Sequence, residues 1–195
     1  MAALSQKRAQ SPLGSGPHAS SLATSGNLSA SYTVHAEKTE TMPDDPQTIE
    51  GVLVKSLRRF ADHRGWLIEL FRDDELPPGF DPAMAYISST KPGIARGPHE
   101  HVHQTDGFAF VDGAFQLYLW DTRSGRPQTH LRLLVGEQNP VFVTVPPGVV
   151  HAYRNVCDRD AFVVNLPDTL YAGKNRAEPV DEIRHEDDPD SRFPL

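Results

Sequence analysis

One cysteine, Cys157, in 195 residues leaves no intramolecular disulfide to make, and a chain so poor in thiols suits a reducing, cytoplasmic compartment. No apolar run approaches the roughly 20 residues a bilayer-spanning helix needs, so no membrane partner is expected. Basic residues are in deficit, 19 against 26 acidic for a net charge of -7, and form no stripe. Nucleic acid and acidic membrane surfaces are thereby poor partners. Acidic residues are themselves missing from the start: Glu37 is the first, and Lys7 and Arg8 are the only basic residues ahead of Lys38. That Ser-, Ala- and Gly-rich stretch has no apolar periodicity with which to bury surface. Residues 1–45 are accordingly expected to be a disordered tail and residues 46–195 the folded domain, with Met42 an alternative start opening MPDDPQTIEGVLV. No internal repeat occurs.

What is present from Ile49 onward is a series of short runs rich in β-formers. These are Val52–Val54, Trp66–Phe71, Met84–Ile87, Phe108–Val111, Phe115–Trp120, Leu131–Leu134, Val141–Val145 and Ala161–Asn165. Asp112-Gly113 between two alternating runs is a hairpin signal, and Pro77-Pro78-Gly79, Pro92-Gly93, Ser124-Gly125 and Pro146-Pro147-Gly148 interrupt the rest. Many short strands at regular spacing imply an all-β double-sheet jelly roll or closed barrel. The Pro-rich acidic end, Glu178 to Leu195, reads as an extended arm.

Two segments carry histidines at suggestive spacing. The first runs Gly93, five residues, His99-Glu100-His101, four residues, Asp106, six residues, Gly113; the second is Pro146-Pro147-Gly148-Val149-Val150-His151 ending in Asn155. Side chains alternate along a strand, so His99 and His101 share a face and His151 can reach them from a neighbouring strand. His103 has the same parity and is expected to wall the pocket. These spacings resemble the two motifs of the cupin barrels, with Asp106 where that motif usually has Glu, and imply a cupin double-stranded β-helix.

From Ala61 to about Pro189 the chain resembles the dTDP-4-dehydrorhamnose 3,5-epimerase family and its cupin relatives acting on nucleotide-linked 4-keto sugars. The matching stretches are Asp62-His63-Arg64-Gly65-Trp66-Leu67-Ile68-Glu69, Arg96-Gly97-Pro98-His99, Asp121-Thr122-Arg123, Pro147 to His151, and Tyr171. The resemblance implies an isomerase that abstracts a proton beside a ketone, in deoxysugar or polysaccharide biosynthesis. His99 would be the base, His151 a second pocket histidine, and Arg64, Glu69 and Arg96 the holders of the nucleotide-linked sugar, the arginines gripping pyrophosphate bidentately. It also implies a homodimer that protects strand edges. The family's proton-returning tyrosine falls at or next to Asn165, an amide that cannot be an acid. Its active-site lysine falls at Asp106, and its histidine-orienting aspartate lies in a C-terminal stretch expected to be missing. The Arg96-Gly97-Pro98-His99-Glu100-His101 segment is also similar to the sugar 3,4-ketoisomerases, which use an H-x-H pair as acid and base. His99 and His101 are therefore expected to be the proton-transfer pair.

The same atoms suit a metal: His99, His101, Asp106 and His151 are a ligand set for Fe, Mn, Ni or Zn. Either no cofactor or one divalent metal is expected. Asp106, a carbon shorter than Glu, risks falling short of such an ion. A metal-dependent oxygenase and a non-catalytic sugar-nucleotide-binding cupin stand as alternatives. Tyr86 and Tyr118 are mainly core candidates, with stacking on a nucleotide base as their functional alternative. His18, His35, His63, His130 and His185 carry no spacing signal, and Cys157 lacks the partners of an activated thiolate.

Overall fold

A computed structural model describes residues 48–195. The expected tail, residues 1–45, lies outside the described residues. Among the described residues twelve strands form two five-stranded antiparallel sheets and a hairpin, with only two single turns of 3-10 helix, Asp73–Glu75 and Lys174–Arg176.

The first sheet runs β1 (Leu53–Ser56), β9 (Val141–Val145), β6 (Asp106–Phe110), β11 (Ala161–Asn165), β4 (Tyr86–Thr90). The second runs β12 (Ile183–Arg184), β5 (Ala95–Glu100), β10 (Val149–Asn155), β7 (Ala114–Asp121), β8 (Thr129–Gly136). The hairpin pairs β2 (Arg59–Asp62) with β3 (Gly65–Ile68). Phe108, Phe110, Phe115, Leu117, Leu119, Val143, Val149 and Val163 fill the space between the sheets. Their alternation explains why the central strands read as β from the sequence: one face packs inward, and the other is covered as well. Phe142, Ala109 and Phe80 form a layer outside the first sheet, while Tyr118, Trp120, Val150, Ala152 and Phe193 form one outside the second. Strands β6 and β9 are buried along their whole length, and apart from Asp106, Gly107 and Thr144 their residues are apolar.

The C-terminal arm is built into this second outer layer. β12 lies antiparallel to β5, with Arg184 opposite His99, and Phe193 is only 5% exposed over Trp120. The hairpin is the opposite case: Phe60, Trp66 and Leu67 are 45%, 53% and 58% exposed, with only the guanidinium groups of Arg58 and Arg59 over the first two rings.

Candidate active site

The histidine site sits between the sheets, and its members come from both. β5 and β10 are paired with His99 directly opposite His151, so the two motifs are joined by backbone register. Gly97 makes this approach possible. Its φ is +78°, and a Cβ there would collide with the His151 carbonyl and lie 3.1 Å from His99 Nδ1, so a side chain would jam β5 against β10. From the other sheet β6 begins at Asp106, whose Oδ2 lies 2.9 Å from His101 Nε2 and 3.1 Å from His151 Nε2. Asp106 thus reaches both rings despite its length.

Hydrogen bonds distinguish the three imidazoles. His101 donates from Nδ1 to the Asp181 carbonyl and from Nε2 to Asp106. The Asp181 carbonyl and the Asp106 carboxylate both favour a charged ring, although the Gln104 amide also lies 3.3 Å from Nε2. Burial opposes that charge, but the Asp106 hydrogen bond and charge, helped by Asp181, prevail and hold His101 up at about 9. For Asp106 burial likewise opposes ionisation, and its bond to His101, with the His151 ring facing the same oxygen, wins, holding the carboxyl well below its ordinary range. Gln104 donates to the other Asp106 oxygen at 2.8 Å. His151 donates from Nδ1 to the Val149 carbonyl at 3.1 Å, which leaves Nε2 without a hydrogen-bond partner although it faces Asp106.

His99 differs from both. Its Nδ1 is buried with no hydrogen-bond partner, 3.8 Å from Glu182 Oε1 and 3.9 Å from Glu186 Oε1. Burial, then the neighbouring His151 and His101, push this imidazole down to about 2, so it is uncharged at neutral pH, with one ring nitrogen protonated and the other free. Its side chain is 16% exposed, whereas those of His101 and His151 are 9% and 2% exposed, so His99 is the ring that a ligand can touch. Its ring centroid lies 5.6 Å from His101 and 4.5 Å from His151.

The arm contributes more than the sequence suggested. Asp181 accepts three backbone N–H bonds, from Val102, His103 and Gln104 at 2.8 to 2.9 Å, and so ties down the loop that carries His101 into β6. The arm, in which the family's orienting aspartate was expected to be missing, brings the carboxylates of Glu182 and Glu186 to 3.8 and 3.9 Å from His99 without bonding it. His185 also departs from its expected solvated role: it bonds Glu100 at 2.9 Å and packs against Phe193. No spacing signal could have revealed these residues, because their partners lie about 80 positions earlier in the chain.

Other expected site residues are more scattered. β5 ends at Glu100 and the chain turns, so His103 is exposed instead of walling the pocket. Tyr118 faces away from the histidines: it pairs with Ala152, so it lies on the outer face of its sheet, stacked at 5.8 Å on Trp120 and under Arg132. Arg64 stands at the hairpin turn, doubly bonded to Asp62, and Glu69 is exposed near Arg72. Neither is brought against the histidines within this one chain. Arg96 is on β5, three residues before His99, and bridges to β4 through Thr90 Oγ1 at 3.0 Å and the Ser89 carbonyl at 2.7 Å. Arg123 grips Asp121 and the Glu50 carbonyl, a brace for the chain's entry into the barrel.

A divalent ion would find donors here. One ligand atom from each of His99, His101, Asp106 and His151 lies within 4.8 Å of the others. His101 and His151 each commit Nδ1 to a backbone carbonyl and aim Nε2 at the shared carboxylate, the outer-shell arrangement that orients metal-binding imidazoles. The donor set therefore fits an ion of the Zn, Fe, Mn or Ni kind.

Two facing antiparallel sheets that enclose three histidines and a carboxylate define a cupin. Solved structures agree at the level of fold. The dTDP sugar isomerase of Desulfovibrio desulfuricans G20 superposes with a TM-score of 0.65 at 22% identity, over 75% of this chain and 90% of that one. The dTDP-4-dehydrorhamnose 3,5-epimerase of Sulfolobus tokodaii does so with a TM-score of 0.58 at 19% identity, over 71% and 78%. The polysaccharide biosynthesis C-terminal domain matches residues 60–177, more than half of the sequence, and the chain belongs to that family. The probable low-salt glycan biosynthesis epimerase Agl13 of Haloferax volcanii is 34% identical over 126 residues, which are 63% of this chain and 81% of that protein. The spore coat polysaccharide biosynthesis protein SpsL of Bacillus subtilis is 38% identical over 110 residues, 54% and 71% of the two chains.

Proposed function

We propose that this chain is an isomerase that epimerises or isomerises a nucleotide-linked 4-keto-6-deoxyhexose for polysaccharide or glycan assembly. One arrangement carries the reading: a partly exposed imidazole, His99, that burial keeps uncharged stands between the sheets beside one, His101, that Asp106 and Asp181 favour in its charged form. A ketone acidifies the hydrogens on its neighbouring carbons, and a neutral imidazole can remove one. The charge that then develops on the ketone oxygen requires a fixed positive donor, which the His101 imidazolium supplies. Proton uptake by His99 is favoured by Glu182 and Glu186, which stand where the new positive charge forms. His151 and Asp106 hold the pair in register. The names of Agl13, an epimerase, and SpsL support the same assignment.

Arg96, beside the site, and Arg64, on the hairpin, are assigned to the pyrophosphate of the nucleotide, where planar forks match phosphate oxygens. Because Arg64 and Glu69 sit on the hairpin, their role requires that this element dock on another copy. The exposed Phe60, Trp66 and Leu67 support a homodimer built on it, which sedimentation at micromolar concentration tests. We take residues 46–195 as the catalytic domain and place the enzyme in the cytoplasm, in keeping with a free Cys157. No helix among the described residues is long and apolar enough to cross a membrane.

A second reading rests on the two Nε2 atoms converging on Asp106: the cluster binds a divalent metal that would polarise the ketone. Metal analysis of protein purified without added metal separates the two readings. Near-stoichiometric metal lost together with activity supports the second. The proposed function itself is tested by proton NMR in deuterated water with a panel of nucleotide 4-keto-6-deoxysugars. Exchange at a carbon flanking the ketone is expected, abolished by His99→Asn; no exchange with any member of the panel rejects it.

A further inference from the structure

The cluster of His99, His101, Asp106 and His151 is compatible with proton transfer and with a metal, and the residue that bears on the choice belongs to neither histidine motif. Gln104 lies in the loop between β5 and β6, and its side chain turns onto the carboxylate two residues ahead. Its amide nitrogen donates to Asp106 Oδ1 at 2.8 Å and stands 3.3 Å from His101 Nε2. Its amide oxygen accepts from the Thr169 hydroxyl at 2.7 Å. An ionised carboxylate only accepts, so the N–H edge is the one that can face Asp106, and Thr169 engages the oxygen.

The backbone under this side chain is clamped from two directions. The Gln104 N–H donates to Asp181 Oδ2 at 2.9 Å, and the next N–H, that of Thr105, donates to Asp168 Oδ1 at 2.9 Å. The Asp168 N–H returns a bond to the Thr105 carbonyl at 3.1 Å, which locks the segment carrying Thr169 to the segment carrying Gln104. An uncharged side chain is thus fixed on one oxygen of a buried carboxylate whose other oxygen faces His101 and His151.

That placement acts against cations. An ion held by the cluster would draw on His101 Nε2 and on Asp106, and the positive N–H edge of Gln104 is anchored beside both. Turning the amide to offer its oxygen instead would break the Thr169 bond and leave Asp106 Oδ1 without its donor. The bond from His101 uses Oδ2 and is untouched by an amide on Oδ1. We propose that Gln104 is a specificity-determining residue, whose Thr169-anchored amide weakens divalent-cation binding at the histidine cluster and keeps Asp106 as a partner for imidazole. Cation binding is read without any substrate, so the outcome is independent of the epimerase reading above.

Two variants change the amide in different ways. Gln104→Glu replaces its N–H edge by a carboxylate, whereas Thr169→Val keeps Gln104, adds no charge and frees the amide oxygen to turn toward an ion. Co2+ is titrated at neutral pH into the full chain stripped with a chelator, and the visible absorption of the bound ion reports ligation by imidazole. Both variants are expected to bind Co2+ at least about 10-fold more tightly than the unaltered protein, the lower end of what groups behind the ligands contribute. Equal affinity in all three proteins overturns the proposal. So does tighter binding in Gln104→Glu alone, since the added charge would then explain it without the orientation of the amide. If a second carboxylate beside Asp106 prevents Gln104→Glu from folding, which melting of the metal-free proteins shows, Thr169→Val decides by itself.

Discussion

His101 is held by two parts of the molecule that work differently. From inside the barrel, Asp106 meets it as a buried ion pair in which each charge depends on the other. From outside, the C-terminal arm holds it through backbone atoms, with Asp181 offering its carbonyl to the ring and its carboxylate to three consecutive N–H groups. The barrel side is a charge problem, costly to leave half solved, whereas the arm side is a set of positional bonds that water can partly replace. The contrast assigns charge to the barrel and geometry to the arm.

The largest effect is therefore expected from Asp106→Ala. Removing one member of a buried pair strands the other, which costs about 3–5 kcal/mol. Urea unfolding should show it, and a loss below about 1 kcal/mol would mean that His101 is not charged. Asp181→Ala removes bonds at a partly exposed carboxylate and should cost about 1–3 kcal/mol, with faster amide exchange confined to Val102 through Gln104 and the arm. If exchange instead rose throughout β5 and β10, the arm would be part of the barrel's stability and the contrast would fail.

The pH dependence separates the two grips further. The folded-state value of His101 is raised above the ordinary histidine value of about 6.5 to about 9, so its contribution to stability is fully present below the ordinary value and is lost as pH rises through about 9. Asp181→Ala should keep that alkaline loss, and Asp106→Ala should remove it; denaturant midpoints between pH 6 and 10 check both. The smallest stability effect, within about 1 kcal/mol, is expected from Glu182→Gln with Glu186→Gln, since neither carboxylate reaches His99 Nδ1 at hydrogen-bond distance. Their signature is kinetic, a fall in kcat larger than any change in KM.

The same division governs what could be read from the sequence. The barrel histidines were legible because strand periodicity and fixed motif spacing put His99, His101, Asp106 and His151 together, and the sheet register does so. Parity failed at His103, where the strand stops at Glu100 and alternation no longer applies. It failed again for Tyr118, whose face depends on which of two buried layers a strand residue joins: with both faces covered, hydrophobicity does not choose between them. The arm was illegible because a Pro-rich acidic segment has no periodicity, and its contacts are with chain about 80 residues away.

The central claim is that two adjacent imidazoles hold opposite protonation states at neutral pH. Long-range proton–nitrogen NMR of the histidine rings, assigned by His99→Asn and Asp106→Ala, measures this directly. The account predicts that at pH 7.5 His101 shows two protonated ring nitrogens and titrates near 9, while His99 remains neutral throughout. A neutral His101 with a single protonated nitrogen at that pH, or a His99 that titrates in the ordinary histidine range, would contradict it.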